Sequence, residues 1–164
     1  IKSVFHIMVQ LLGEFDCKLD AKGRLMVPSK LMKQLPNVDK EGLIVKRGFE
    51  KHLTIYPRNV WEKIVEDLST LNQYEQKTRE FIRYFTRGAS DLPMDATGRV
   101  NLPNSLMESV GIEVNAEVVL ACQFDKIEIW SKAAYEAQFD KEPADFAMLA
   151  EELLGNKNRR PNGE

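Results

Sequence analysis

Phe15, Cys17 and Leu19 alternate with Glu14, Asp16 and Lys18, which predicts a half-buried strand from Gly13 to Leu19. Asp20-Ala21-Lys22-Gly23 then reads as a type I turn, with Asp first and Gly fourth. Arg24-Leu25-Met26-Val27 is a short apolar strand ended by Pro28. Ser29 is placed to cap a short helix over Lys30 to Leu35, which Pro36 stops. Leu43 to Arg47 and Leu53 to Tyr56 read as a hairpin about Gly48-Phe49-Glu50-Lys51. At Pro57 the period changes. Trp61, Ile64, Val65, Leu68 and Leu71 share one face of a helix. Tyr74, Thr78, Phe81, Ile82 and Phe85 share the inner face of a second, from Gln73 to Arg87. Arg79, Arg83 and Arg87 fall four apart beside that face, as a solvated stripe or a docking surface for acidic groups.

The pattern then starts again. Asp20 to Met32 and Asp95 to Met107, 75 residues on, are identical at seven of thirteen positions: Asp, Ala, Gly, Arg, Pro, Leu and Met. The register extends to Gly13 and Gly88, and to Phe49-Glu50-Lys51 and Phe124-Asp125-Lys126. Such self-similarity marks a tandem duplication. In the second copy Ser105 to Glu108 fits a capping box and Gly111 a helix stop. Glu117 to Cys122 and Lys126 to Trp130 form its hairpin, and helices are expected from Ser131 through Phe139 and from Pro143 to Leu154. Each repeat is thus strand, tight turn, strand, short helix, hairpin, helix. One copy cannot bury both faces of its own short sheet. The two are expected to interleave into one closed barrel, an α+β fold with a mainly β core. The expected division is residues 8–87, residues 88–155 and a disordered tail over 156–164.

Composition narrows the classes. The 164 residues are 43% hydrophobic and 29% charged, without an apolar run long enough to span a membrane as a helix. The chain begins with Ile, and Met8 is expected to be the functional start, with residues 1–7 preceding it. Ile1 to Leu12 lacks the basic region and small-residue cleavage site of a secretory signal. Cys17 and Cys122 are isolated, which suits a reducing cytoplasm. Net charge is −2, a mild argument against a nucleic-acid partner. The distribution is uneven. Glu14 to Lys51 carries nine Lys or Arg against six Asp or Glu, whereas Glu108 to the end carries six against twelve. The first repeat therefore faces an anionic partner better than the mean charge suggests.

The repeated turn is the candidate for chemistry. It puts Arg24 and Arg99 directly after Gly23 and Gly98, at the tip of an expected hairpin, with Lys18, Lys22, Lys30 and Lys33 around the first. Arg bonds guanine bidentately and Lys neutralises phosphate, so such a tip suits a DNA groove. Alternatively Asp20 and Asp95 bond the turn amides and hold the Arg, which makes the loops purely structural; for the two Asp that role is favoured. Other chemistries lack residues. His6 and His52 are not at metal spacing from Cys, no Ser–His–Asp, Cys–His or GxSxG arrangement is readable, and Gly23 and Gly98 are lone glycines. No metal, cofactor or small-molecule substrate is expected. Trp61, Phe81, Phe85 and Trp130 are expected in the core rather than as base-stacking platforms.

The paired Asp-x-x-Gly-Arg-x-x-x-Pro motif, with Gly-Glu-Phe-Asp-Cys-Lys-Leu before the first copy and Gln-Phe-Asp-Lys-Ile-Glu-Ile-Trp after the second, resembles the MraZ family of bacterial regulators over about residues 8 to 150. The resemblance implies a double-psi or swapped-hairpin barrel of the AbrB type with flanking helices. It further implies a ring-shaped homo-oligomer in the cytoplasm, associated with the nucleoid. Its DNA partner would be short direct repeats in the promoter of its own division and cell-wall gene cluster, and its action repression by occlusion. In that family the two Asp-to-Arg loops contact DNA, which here implicates Lys22, Arg24 and Arg99, with Lys18 and Lys30 beside them and Asp20, Gly23, Asp95 and Gly98 shaping the loops. Thr97 replaces Lys22 in the second copy, so its phosphate grip is weaker. Several subunits on one duplex would offset the weak charge of each. A ring that binds protein partners without DNA specificity is the competing expectation.

Overall fold

The computed structural model describes residues 10–140 and 143–155; the Met8 start and the 156–164 tail lie outside the described residues. The chain divides into two compact units, one ending at Lys132 and one beginning at Ala133.

In the first unit the strands are β1 (Glu14–Lys18), β2 (Arg24–Met26), β3 (Leu43–Arg47), β4 (Leu53–Pro57), β5 (Ser90–Leu92), β6 (Arg99–Asn101), β7 (Glu117–Gln123) and β8 (Lys126–Ser131). Six of them form one antiparallel sheet in the order β1-β7-β8-β4-β3-β5. The order reads the same when the repeats are exchanged. The repeat hairpins, β3–β4 and β7–β8, meet at the centre, where Leu53 pairs with Ile129 and Ile55 with Ile127. Each repeat's first strand then crosses to the other repeat's hairpin: β1 pairs with β7, and β5 with β3. The fold is thus a swapped-hairpin arrangement of two copies, α+β with a mainly β core.

Two details depart from expectation. The sheet does not close into a hydrogen-bonded barrel, because β1 and β5 remain its edges and β2 and β6 form a separate two-stranded ribbon. The edge strands β1 and β5, of five and three residues, and the three-residue β2 and β6 are too short to carry a ladder around both sheets. The first Asp-to-Arg turn is also not the tip of a regular hairpin, since β1 and β2 belong to different sheets, whereas at the second a single antiparallel bridge, Met94 to Val100, flanks the turn.

The core follows from the alternation. Leu19, Leu25, Leu31, Val45, Leu53, Leu92, Val100, Leu102, Val118 and Ile129 are all buried and come from both repeats. Full burial of such a side chain contributes about 1.5–3 kcal/mol. Neither copy has a complete core without the other.

Helices α1 (Ser29–Met32), α2 (Val38–Glu41) and α5 (Asn104–Ser109) are short. Neither Ser29 nor the Ser105–Glu108 box caps by side chain. Pro28 and Pro103 take the cap position, and their carbonyls accept from the amides of Leu31 and Met32, and of Leu106 and Met107. With proline there, the serines lie inside the first turn, where a hydroxyl cannot serve as the cap.

The connection between repeats is two amphipathic helices, α3 (Arg58–Ser69) and α4 (Gln76–Phe85). Neither holds a buried residue. Trp61 and Phe85 are half-buried and Phe81 is 45% exposed, so of the four aromatics expected in the core only Trp130 is there. Tyr74, expected on the inner face, precedes α4 and is 96% exposed. The helices touch the β3–β4 hairpin, through Trp61 on Tyr56 (centroids 5.8 Å) and Phe85 on Phe49 (5.8 Å). Ile64, Leu68 and Ile82 are half-buried as well, whereas Val65 and Phe81 on the same helices are 44% and 45% exposed.

That contact hides a lysine. Lys46 is 2% exposed, and its Nζ donates to the Arg47 carbonyl at 2.9 Å and lies 4.1 Å from the Phe85 ring centroid. Phe49 and Tyr56 complete a cage at 5.6 and 5.9 Å. Burial, with Lys126 adding repulsion, lowers its pKa to about 8. Burial likewise raises the Tyr56 phenol to about 12. His52, also buried, stacks on Trp130 at 4.5 Å with Nε2 3.2 Å from a Glu128 carboxylate oxygen.

The second unit carries α6 (Lys132–Ala137, its first residue shared with the first unit) and α7 (Phe146–Ala150). Asp145 caps α7 by accepting from the Met148 amide, and the chain continues as a π-helical turn over Glu151–Gly155. The expected single helix from Pro143 to Leu154 is therefore shorter and changes its winding. Among the described residues no helix is long and apolar enough to cross a membrane, and no group of three or more His, Cys, Asp or Glu is placed to hold a metal.

Candidate nucleic-acid interface

The two Asp-to-Arg turns are built alike, bond for bond. In the first, the Asp20 carboxylate accepts from the amides of Lys22 (2.9 Å) and Arg24 (2.8 Å), and its other oxygen meets Arg24 Nε at 2.6 Å. The Gly23 amide donates to the Asp20 carbonyl, and the Asp20 amide to the Arg24 carbonyl. In the second, Asp95 accepts from the amides of Thr97 and Arg99, each at 2.9 Å, and meets Arg99 Nε at 3.0 Å. Thr97 adds its hydroxyl at 2.8 Å. These bonds hold both carboxyls below the ordinary carboxylate range: the Arg24 amide is the largest cause for Asp20, and the Arg99 amide, then the Thr97 hydroxyl, for Asp95. Both carboxylates are therefore harder to protonate than an ordinary aspartate.

Gly23 and Gly98 turn the chain at φ of +75° and +85°. Each is roofed by a methionine of the other repeat. A Cβ on Gly23 would lie 2.9 Å from Met107 Cε, and one on Gly98 3.2 Å from Met32 Cε. Gly23→Ala should lower stability by about 1–2 kcal/mol, the cost of a left-handed alanine, read as a lower urea midpoint; an unchanged midpoint would contradict the packing.

The ribbon joins the two loops. Arg24 pairs with Asn101, Leu25 with Val100 and Met26 with Arg99. The Val27 amide donates to the Gly98 carbonyl and the Leu102 amide to the Gly23 carbonyl, at 3.0 and 3.1 Å, so each loop is fastened to the end of the other copy's strand. Leu25 and Val100 point into the core, which leaves Arg24, Met26, Arg99 and Asn101 on the outer face. Arg24 and Arg99 are diagonal neighbours there, about 7–8 Å apart at the backbone. Each guanidinium is held at Nε, and among the described residues its terminal nitrogens have no hydrogen-bond partner. What the ribbon offers solvent is thus a pair of partly exposed guanidiniums, each anchored at Nε.

Of the other sequence candidates, Lys22 is exposed on the first loop and Lys30 on α1, immediately beyond the ribbon. Lys18 is exposed but sits opposite Glu117 across β1 and β7, which weakens its local field. Asn101 was missed. It stands directly opposite Arg24, with its Oδ1 3.9 Å from where a Cβ on Gly23 would be. The signal was available: period-two alternation puts the second residue after each Arg on the same face.

Comparison with known proteins supplies the context for this geometry. The model of the MraZ protein family, described as antitoxin-like, matches residues 10–84 and again residues 85–157. The chain is 41% identical over 150 residues to the transcriptional regulator MraZ of Christiangramia forsetii, covering 91% of this chain and 96% of that protein. It is 41% identical over 152 residues to the transcriptional regulator MraZ of Flavobacterium psychrophilum, covering 92% and 96%. The solution structure of PHS018 from Pyrococcus horikoshii is 17% identical over 73% of this chain and 88% of that one, with a TM-score of 0.31, too slight a likeness to bear on the fold.

Proposed function

Because the chain belongs to the MraZ family, we propose that it is a DNA-binding transcriptional regulator that represses by occupying its promoter. The observation that carries this reading is the ribbon face, with Arg24 and Arg99 clamped at Nε by Asp20 and Asp95 and each about one third exposed. A two-stranded ribbon fits the major groove, where the terminal nitrogens of Arg match O6 and N7 of guanine and Asn matches adenine. Clamping removes most of the rotamer freedom that binding would otherwise cost. Lys22 and Lys30 serve phosphates on either side, with a smaller share for Lys18. Direct repeats in the promoter of the division and cell-wall genes are the expected sites, and the two repeats, residues 8–87 and 88–155, act as one reader.

Affinity requires several copies. One ribbon offers few cations on a chain of net charge −2. Joining subunits on one duplex raises apparent affinity about 10²–10⁴-fold where geometry permits. The exposed apolar residues of α3, α4 and the connection between them, with Val65, Leu71 and Phe81 each more than 40% exposed, support self-association into a ring in the cytoplasm. The same residues favour a second reading, a ring that binds protein partners and lacks DNA specificity.

A reporter fused to the protein's own upstream region separates the two. Expression of the wild type should lower reporter output, and the Arg24→Ala/Arg99→Ala protein should not. Equal output with both would favour the partner-binding ring. Thr97→Lys restores to the second loop the cation that the first has. It should steepen the slope of log affinity against log salt by about 1 per bound subunit, and an unchanged slope would place the second loop away from phosphate.

A further inference from the structure

We infer that the cavity enclosed by the β3–β4 turn, the end of α4 and the end of α5 is a binding site for a phosphoryl or diphosphoryl group. Its volume is about 250 Å³, and Arg47, Lys51, Arg87, Phe49 and Tyr84 are among the residues that line it. Three cations converge there, and among the described residues none of the three has an ion-pair partner. The lining holds one carboxylate, Glu50, whose Oε2 lies 3.6 Å from His52 Nδ1. A fourth cation stands behind the wall, since buried Lys46 donates to the Arg47 carbonyl and faces Phe49. Unpaired like charges repel, and on a chain of net charge −2 their convergence marks a place built for an anion.

Helix ends account for only part of the cluster. The negative ends of the α4 and α5 dipoles each favour a nearby basic side chain. Lys51 fills that role at α5, with its Nζ 3.4 Å from where a Cβ on Gly111 would be. One of the two arginines would suffice at α4. Size sets the ligand class, because sites for drug-sized molecules run to roughly 300–1,000 Å³ and this cavity is smaller. Paired guanidiniums suit phosphoryl oxygens, which they bond bidentately. The cavity is separate from the Asp20–Arg24 loop. Met107 packs on Gly23, while Ser109, two residues on along α5, lines the cavity, and residues so spaced do not share a helix face. The phosphoryl group could belong to a free metabolite or to a DNA backbone. The inference stands on the cavity and not on the proposed function.

Calorimetric titration with inorganic phosphate and pyrophosphate in chloride buffer tests it. The wild type should bind pyrophosphate saturably, one per chain. Arg47→Gln/Arg87→Gln should weaken binding about tenfold or more, and the charge-matched Lys40→Gln/Lys63→Gln should not. If the first pair unfolds the chain by circular dichroism, Arg87→Gln alone replaces it. Absence of saturable binding to the wild type, or equal loss in both pairs, would overturn the inference. With the site established, weaker DNA binding by Arg87→Gln assigns the group to a DNA backbone, and unchanged DNA binding assigns it to a free phosphorylated molecule. Phosphate binding without any DNA binding would leave this site standing while removing the proposed function.

Discussion

Arg24→Ala should lower affinity for the upstream DNA about 5- to 150-fold, the range that one bidentate guanine contact spans. The loss has two parts. The fork disappears, and the Asp20 carboxylate, which Arg24 Nε holds at 2.6 Å, is left facing phosphates without its counter-charge. Arg24→Lys should not restore binding, because an ammonium offers no planar fork and cannot both hold Asp20 and reach a base. Arg99→Ala should cost less, since its loop carries Thr97 in place of a lysine. The two losses should fall short of adding, because the forks are diagonal neighbours on one ribbon. Anisotropy on folded proteins, with melting curves recorded beside it, measures all four. Full affinity in a folded Arg24→Ala protein would remove the ribbon from the interface.

Lys46→Met should raise stability near neutral pH, against the usual outcome of a buried substitution. The folded-state pKa of Lys46 is about 8, below the ordinary lysine value of 10.5. Below pH 8 both folded and unfolded chains carry the proton, and the folded one bears the full cost of burying it. That depression amounts to about 3 kcal/mol at most, reduced by about 0.5–2 kcal/mol of ring attraction and by the bond to the Arg47 carbonyl. The net gain from methionine is therefore about 1 kcal/mol. Sign follows from proton binding. Between pH 8 and 10.5 the unfolded chain binds more protons, so wild-type stability climbs through that window and the variant's lead shrinks. Tyr56 works the other way. Its pKa is raised to about 12, so its contribution is intact below the ordinary tyrosine range and is lost as pH rises through the folded value. Urea melts at matched protein concentration, near neutral pH and near pH 10, check this. A variant less stable than wild type by the same amount at both would contradict the account of Lys46.

How much of this was legible in the sequence follows from the range of each interaction. The duplication, the strands and the tight turns are local, and so are the bonds from Asp20 to the amides of Lys22 and Arg24. Pairing is not local. Nothing in the spacing says that β1 crosses to β7 or that β2 leaves β1 for β6, so a closed barrel and hairpin tips were the natural reading. That crossing sets Arg24 beside Arg99 and Asn101, and so creates the candidate site. Lys46 reads as surface from its type, and its cage needs Phe85 from a helix distant in sequence. Trp61 and Phe81 read as core from their periodicity, but helical spacing says only that a face is apolar, not what covers it.

The account stands or falls on the chain's affinity for its own upstream DNA against an unrelated duplex, measured by anisotropy across salt. It predicts a clear preference for the upstream fragment, with log affinity falling against log salt at about −0.9 per phosphate neutralised. Equal and weak binding to both duplexes would contradict it, and the anchored guanidiniums would then be structural pairs at the seam of two interleaved repeats.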